Sequence, residues 1–138
     1  MSRAEKQQVI GIILCERVLQ DVLRRDHISC INIHNGIPVQ GFPATIPLIY
    51  AFAQLTGSHQ EFTYQFKIVD RQNNIITSSP VAKVEPLPNR FMTHKIISAF
   101  SGLTFNEEGM YNVVLTLEGE ECGTLPFQVM QISPDSSG

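Results

Sequence analysis

The sequence has no tryptophan, only three cysteines in 138 residues, and no apolar run near the 18 or more residues that a membrane-spanning helix needs. Its 10 lysines and arginines are outnumbered by 13 aspartates and glutamates. It therefore lacks the basic excess with which nucleic-acid-binding proteins neutralise phosphate. These shortages predict a protein that binds neither nucleic acid nor membrane. Hydrophobic residues still make up 43% of the chain, which is enough for one domain of this length to bury a core.

The three cysteines are Cys15, Cys30 and Cys122. Their odd number indicates reduced thiols rather than the disulfide framework of a secreted protein. No Cys-x-x-Cys pair occurs and no Cys/His cluster has the spacing of zinc ligands, so we expect no metal and no other cofactor. The apolar run 9–15 is short for a signal peptide, and no small-residue cleavage site follows it. The sequence therefore favours a cytoplasmic protein.

Turn signals divide the chain into short apolar runs, which is the pattern of a strand-rich domain. In the clearest run apolar residues alternate with polar ones and predict the core face of a strand: Phe62, Tyr64, Phe66 and Ile68. The last third predicts a hairpin with these core-facing residues: Tyr111, Val113, Leu115, Leu117, Leu125, Phe127 and Val129. Seven to nine short strands and no second long helix predict an all-β protein, an antiparallel β-sandwich.

Three regions are ambiguous. Residues 4–25 fit either one amphipathic helix or a strand over 9–15 followed by a short helical turn within 16–26, and we favour the strand. Pro47 predicts that the strand ending near residue 55 lies at an edge or is interrupted there, because proline has no N–H to donate. The register of 91–101 stays open, since apolar residues occur at both parities. We expect a single domain over 1–132 and a flexible tail over 133–138.

Gly109 stands two residues before Tyr111 at the start of the penultimate strand. This spacing resembles the tyrosine corner of immunoglobulin-like sandwiches, in which the phenol hydroxyl bonds to backbone a few residues upstream. Val113 occupies the position of the usual cysteine, so we expect no disulfide between the sheets.

Together with this corner, three further features resemble a family of small uncharacterised bacterial proteins with an immunoglobulin-like fold: Cys15-Glu16, the Phe42-Pro43 strand start and the Asp70–Asn74 hairpin. The resemblance covers roughly residues 9–132. It implies an immunoglobulin-like β-sandwich. It implies no active-site residues, because that family has no assigned activity.

Side chains that could carry chemistry are scattered along the chain. The four histidines have no metal-binding spacing: His27, His34, His59 and His94. Ser58 and His59 are adjacent, but neighbouring residues of an extended chain point apart. A dyad of Cys30 with His34 is disfavoured, because Cys30 lies within an apolar strand. We therefore predict no catalytic, cofactor-binding or metal-binding residue.

Charge is unevenly distributed. All ten basic residues precede residue 96, and the six acids after it have no basic counterpart. The pairs Glu107-Glu108 and Glu120-Glu121 lack the spacing of a calcium loop and are interpreted as solvated turns at opposite ends of one strand. Arg17, Arg24 and Arg25 form a small basic cluster, without the interleaved aromatics typical of nucleic-acid binding.

The function that these observations favour is a non-catalytic protein–protein interaction module of unknown partner. A homodimer through a sheet edge or face is expected, because the strands over 46–55 and 123–132 carry no charge that would block edge pairing. The alternative is a small-ligand or carbohydrate-binding sandwich. Against it, all three tyrosines fall on predicted core-facing positions: Tyr50, Tyr64 and Tyr111. An enzyme whose site is hidden in the linear sequence is the third hypothesis.

Overall fold

The computed structural model describes residues 8–25, 27–56, 60–88 and 92–132, and all regular structure in them is β-strand. The ten strands are β1 (Val9–Gln20), β2 (Ile28–His34), β3 (Gly36–Val39), β4 (Ala44–Thr56), β5 (Phe62–Val69), β6 (Ile75–Ser78), β7 (Ala82–Val84), β8 (Thr93–Phe105), β9 (Gly109–Leu117) and β10 (Glu120–Gln131). The expected tail over 133–138 lies outside the described residues.

The strands form two sheets. The first has the order β2-β1-β4-β8, and the second has the order β3-β10-β9-β5-β6, with β7 also paired to β5. Every pairing is antiparallel except that of β3 with β10. The core lies between the sheets, and its largest fully buried side chains are Phe66, Phe105 and Phe127. The predicted all-β sandwich is confirmed.

The region after residue 15 differs from the prediction. Arg17 to Gln20 pair with β2, so β1 continues as a strand and the short helical turn expected within 16–26 is wrong. The chain turns on Asp21 instead. Its Oδ1 accepts the backbone N–H groups of Leu23 at 2.8 Å and Arg24 at 2.9 Å. The alternative of one helix over 4–25 is also wrong, because Val9–Gln20 is a strand paired with β2 and β4.

The central pair β4–β8 explains the ambiguous register of 91–101. It keeps one register from Ala44–Phe105 to Thr56–Thr93. Buried residues on β8 are even-numbered from His94 to Phe100 and odd-numbered from Leu103. The parity changes at Gly102, whose φ is +63°. This register places Gly102 opposite Pro47, and β4 changes parity there as well.

The sheet edges are not all where the sequence placed them. β4 lies between β1 and β8 from Tyr50 to Leu55, so that part of the strand is not a free edge. Its pairing with β1 ends at Tyr50, however, and Pro47 therefore lies where β4 has only β8 as a partner. β10 is also not a free edge over 128–131, because β3 pairs with it there. The outermost strands of the first sheet are β2 and β8.

The tyrosine corner is present. The Tyr111 hydroxyl donates to the Glu107 carbonyl oxygen at 2.6 Å. Its ring packs edge-on against Phe105, with centroids 4.7 Å apart, and stacks near Phe127 at 5.9 Å. Gly109 has a φ of +155°, which L-residues with a side chain rarely adopt. The corner therefore fixes the entry to β9 from the core side.

Candidate functional site

The β1–β2 hairpin extends beyond the first sheet. β1 pairs with β4 only as far as Cys15, whereas its pairing with β2 continues to Gln20–Ile28. Where β1 parts from β4, Asn32 adopts a φ of +56° and its side-chain amide donates to the Glu16 carboxylate. The strand segments 16–20 and 28–31 therefore form a two-stranded arm that leaves its neighbour β4.

The end of this arm is an ordered turn that presents apolar side chains. We call residues 21–25 the hairpin tip. The Gln20 side-chain amide donates to the Arg25 carbonyl at 2.7 Å, and the Asp21 N–H donates to the His27 carbonyl at 3.1 Å. Val22 and Leu23 are nevertheless 83% and 91% exposed. Apolar side chains held outward by a hydrogen-bonded turn indicate a contact surface.

A groove of about 470 Å³ lies between this arm and the outer face of the first sheet, and we call it the hairpin groove. Because His94 and Ile96 face the core, their neighbours Lys95 and Ile97 face outward. The apolar residues of the groove are Val18, Ile28, Tyr50, Leu87, Met92 and Ile97, and its other lining residues are Gln20, Arg25, Thr93, His94 and Lys95. Its surface is thus mainly apolar with two cationic side chains.

The two cations stand on different walls of the hairpin groove. Arg25 belongs to the arm and Lys95 to β8, and neither has a carboxylate partner among the described residues. Arg24, by contrast, lies 3.4 Å from the Asp21 carboxylate. No aspartate or glutamate is among the lining residues that the structure describes. The described lining of the groove therefore carries two cations and no carboxylate.

A second groove, of about 620 Å³, opens where β1 leaves β4, and we call it the junction groove. Glu16, Arg17 and His34 line it together with Tyr50. Charges of both signs are present, so this groove has less preference for an anion than the hairpin groove.

The three histidines that the structure describes do not form a cluster. His27 precedes β2 and His34 ends it, while His59 lies outside the described residues. His94 is buried, and its ring packs edge-on against Phe62 with centroids 5.0 Å apart. Among the described residues, no group of three or more histidines, cysteines or acids is placed to hold a metal ion.

The cysteines have the character of structural thiols. None of the three forms a disulfide, and Cys15 is fully buried. Burial, with a smaller contribution from the neighbouring Cys30 thiol, raises the pKa of Cys15 to about 12. A thiol that is protonated at neutral pH is a poor nucleophile. Cys30 and His34 are four residues apart along β2, or roughly 13 Å, too far for a dyad.

The glutamates of the two acidic turns are exposed, as expected, and several glutamates near β9 also accept hydrogen bonds. Glu108 Oε2 accepts the Gln131 N–H at 2.8 Å, and Glu118 Oε2 accepts the Thr63 N–H at 2.7 Å. Glu121 Oε2 accepts the Thr124 hydroxyl at 3.2 Å. The acidic turns lie at opposite ends of β9, as expected. Their role is to fix the turns against β5 and β10.

Sequence reasoning missed two parts of this surface. Tyr50 was predicted to face the core, but it lines both grooves. Tyr64 and Tyr111 do pack in the core. The hairpin tip had a local signal: Val22 and Leu23 stand between Asp21 and Arg24-Arg25, an apolar pair inside a charged turn.

The family model that matches this chain covers residues 11–130 and describes a family of unknown function, DUF6941. The chain belongs to the DUF6941 family. A comparison with curated protein sequences gives no match. In this DUF6941 protein, the described residues contain no helix long and apolar enough to cross a membrane.

Two solved structures are similar to this DUF6941 protein. One is the Pseudomonas fluorescens alkylpurine DNA glycosylase AlkC bound to DNA containing an abasic site analog, with 12% identity and a TM-score of 0.51. The match covers 91% of this chain but only 30% of the glycosylase. The other is an immunoglobulin-like protein from Pseudomonas aeruginosa, with 10% identity and a TM-score of 0.41 over 94% of this chain and 100% of that one. At such identities the likeness to the glycosylase concerns the fold alone.

Proposed function

We propose that this protein is a non-catalytic protein–protein interaction module that docks its partner at the end of the β1–β2 arm. The observation that supports this is the exposure of Val22 and Leu23, at 83% and 91%, on a turn that hydrogen bonds hold in place. Burying two such side chains would contribute roughly 1.5–3 kcal/mol each. The turn is already ordered, so little of that free energy is lost in fixing it.

Several finer points belong to the same proposal. The Tyr111 corner supports an immunoglobulin-like assignment, in keeping with a small bacterial sandwich protein. Three cysteines that form no disulfide support a reducing, cytoplasmic location. The charged groups of the hairpin groove are an arginine and a lysine, and these cationic side chains would attract an anion.

Self-association as a homodimer is also part of the proposal, and β8 is the edge that favours it. This strand has 13 residues and ends the first sheet. Apart from Lys95, β8 contains no lysine, arginine, aspartate or glutamate. A long edge strand with so little charge presents backbone N–H and C=O groups to another chain.

The test of partner docking compares three tagged proteins in capture from a lysate of the source organism. These are the wild type, the double variant Val22→Ser/Leu23→Ser, and a matched control, Ile75→Ser/Val81→Ser, which replaces exposed apolar residues outside the arm. We expect a protein that the wild type and the control retain and the tip variant loses. Binding of that purified protein should be at least tenfold weaker for the tip variant, with all three melting temperatures alike. A partner held equally by the tip variant would contradict the proposal.

A small-ligand or carbohydrate binder is the second candidate, and the position of Tyr50 favours it. The ring borders both grooves, where a flat ligand could stack on it. Titration with a panel of sugars should then give binding that Tyr50→Ala abolishes while Val22→Ser/Leu23→Ser leaves it unchanged. Absence of any sugar binding would leave the protein-docking proposal as the better one.

A further inference from the structure

We infer that the hairpin groove binds an extended peptide segment of a partner protein in which acidic side chains flank an apolar one. This inference rests on the proposed function and names the chemistry of the partner. It follows from the shape of the groove, from its two cations and from the position of the hairpin tip.

The groove has the size and surface of a ligand cleft. Its volume of about 470 Å³ falls within the roughly 300–1,000 Å³ of such clefts. Val18 and Ile28 approach from the arm, and Ile97 from the outer face of β8. An apolar side chain lying between the two walls would remove all three from water, which is favourable in proportion to the apolar area buried.

The two cations of the hairpin groove favour a negatively charged peptide segment. Arg25 and Lys95 stand on different walls, and neither has a carboxylate partner among the described residues. An apolar side chain between the walls would have its sequence neighbours at the two rims, where carboxylates could meet these cations. Charge complementarity of this kind steers association and selects against basic segments.

The hairpin tip favours a protein over other anionic ligands. Val22 and Leu23 belong to the same arm as the groove wall but are not among the groove's lining residues. A small carboxylate in the groove would leave both of them in water. A flat bilayer could cover the tip but would not fill a concave groove between two walls. A partner that passes a segment through the groove can cover the tip as well.

The experiment is an NMR titration of the ¹⁵N-labelled full chain with a ten-residue synthetic peptide that alternates aspartate and glutamate with leucine and phenylalanine. A control peptide has every acid replaced by its amide. We expect amide shifts concentrated at Val18, Ile28 and Ile97, and binding at least tenfold weaker for the amide peptide. Arg25→Glu/Lys95→Glu should weaken binding of the acidic peptide at least tenfold, whereas Arg71→Glu, in the exposed turn after β5, should leave it unchanged.

Neutral replacements provide a second test if charge reversal prevents folding, and Arg25→Gln/Lys95→Gln should then weaken binding at least fivefold. The inference is overturned if neither peptide shifts the groove residues, or if both peptides bind equally. It is also overturned if phosphatidylserine vesicles or a 20-base-pair DNA duplex shift these residues and the peptide does not.

If Val22→Ser/Leu23→Ser abolishes partner binding while the peptide leaves the groove unperturbed, the groove inference fails and the proposed function stands. If the tip variant binds the partner as tightly as the wild type does, the proposed function fails.

Discussion

Tyr111 connects the loop before β9 to the core through one short hydrogen bond and two aromatic contacts. Replacing it with Phe removes the 2.6 Å bond to Glu107 and should lower the free energy of unfolding by about 1 kcal/mol. Replacing it with Ala also leaves a cavity beside Phe105 and should cost about 3–5 kcal/mol. Urea denaturation of both variants measures these losses. Two variants as stable as the wild type would remove the structural role of the corner.

His94 should make the fold sensitive to mild acid. Burial lowers the pKa of its imidazole below the ordinary value of 6.5, and its Nε2 has no hydrogen-bond partner among the described residues. The unfolded chain takes up a proton near pH 6.5 that the folded chain resists. The free energy of unfolding should therefore fall as the pH drops below about 6.5, and the loss is complete below the lowered pKa.

The variant His94→Phe isolates this effect, because it keeps an aromatic ring beside Phe62 and removes the titrating group. Urea denaturation at about pH 7 and about pH 5 should show a smaller pH dependence in the variant than in the wild type. Hydrogen bonds from backbone N–H groups lower the pKa values of Asp21 and Asp70. Both residues are present in the wild type and in the variant, so their contribution to the pH dependence cancels in the comparison. Identical pH dependence in the two proteins would rule out His94 as the source.

Among the strands, β10 offers a direct test of which side chains face the core. Val129 is fully buried between the sheets, whereas Met130 is half-buried on the opposite face, where its methyl carbon lies beside Gly36. Val129→Lys places an unpaired charge in the core and should unfold the protein. Met130→Lys should leave it folded, since the long side chain can reach water. Circular dichroism and melting curves measure both, and the opposite ranking would contradict the register of β10.

The strands that the sequence predicts best are those with one uninterrupted period of two. Phe62 to Ile68 alternate with polar residues without a break, Tyr111 to Leu117 do so except at Val114, and both predicted core faces are confirmed. β3 was not predicted, because Asn35-Gly36 and Pro38 favour a turn locally. Its stability comes from a parallel pairing with Gln128 to Gln131, about 90 residues away in sequence. A partner so distant leaves no local pattern.

Tyr50 shows why the candidate site could not be predicted in full. Ile46, Leu48, Tyr50 and Phe52 form one even-numbered apolar series in the sequence. The core-facing series of β4 changes to the odd-numbered Ile49 and Ala51 beyond Pro47, which turns Tyr50 outward. The hairpin groove also combines residues of β1, β2, β4 and β8, so only the three-dimensional pairing brings them together. The sequence indicates the tip locally, through an apolar pair between charged residues, whereas no local sequence pattern indicates the groove.

At the scale of the whole molecule, the charged residues of the hairpin groove differ in sign from those of the turns at the ends of β9. The cations Arg25 and Lys95 lie at the hairpin groove, while the acidic turns lie at the two ends of β9. Each of Glu108, Glu118 and Glu121 already accepts a hydrogen bond within its own chain. The acidic turns would repel each other across a two-fold axis. A symmetric dimer should therefore use a surface that carries little charge, and β8 is the outer strand that fits.

The proposed dimer can be tested by sedimentation at tens of micromolar protein in low and high salt. Pairing through β8 buries backbone groups and apolar side chains rather than exposed charges, so raising the salt should leave the dimer intact. Ser101→Lys adds a charge to the exposed edge and should give a monomer. Gln128→Lys adds the same charge to a segment of β10 that has strands on both sides, and it should stay dimeric. A monomeric wild type, or a dimer that dissociates as salt rises, would exclude β8 as a self-association edge, because neither fits an interface built from uncharged backbone pairing.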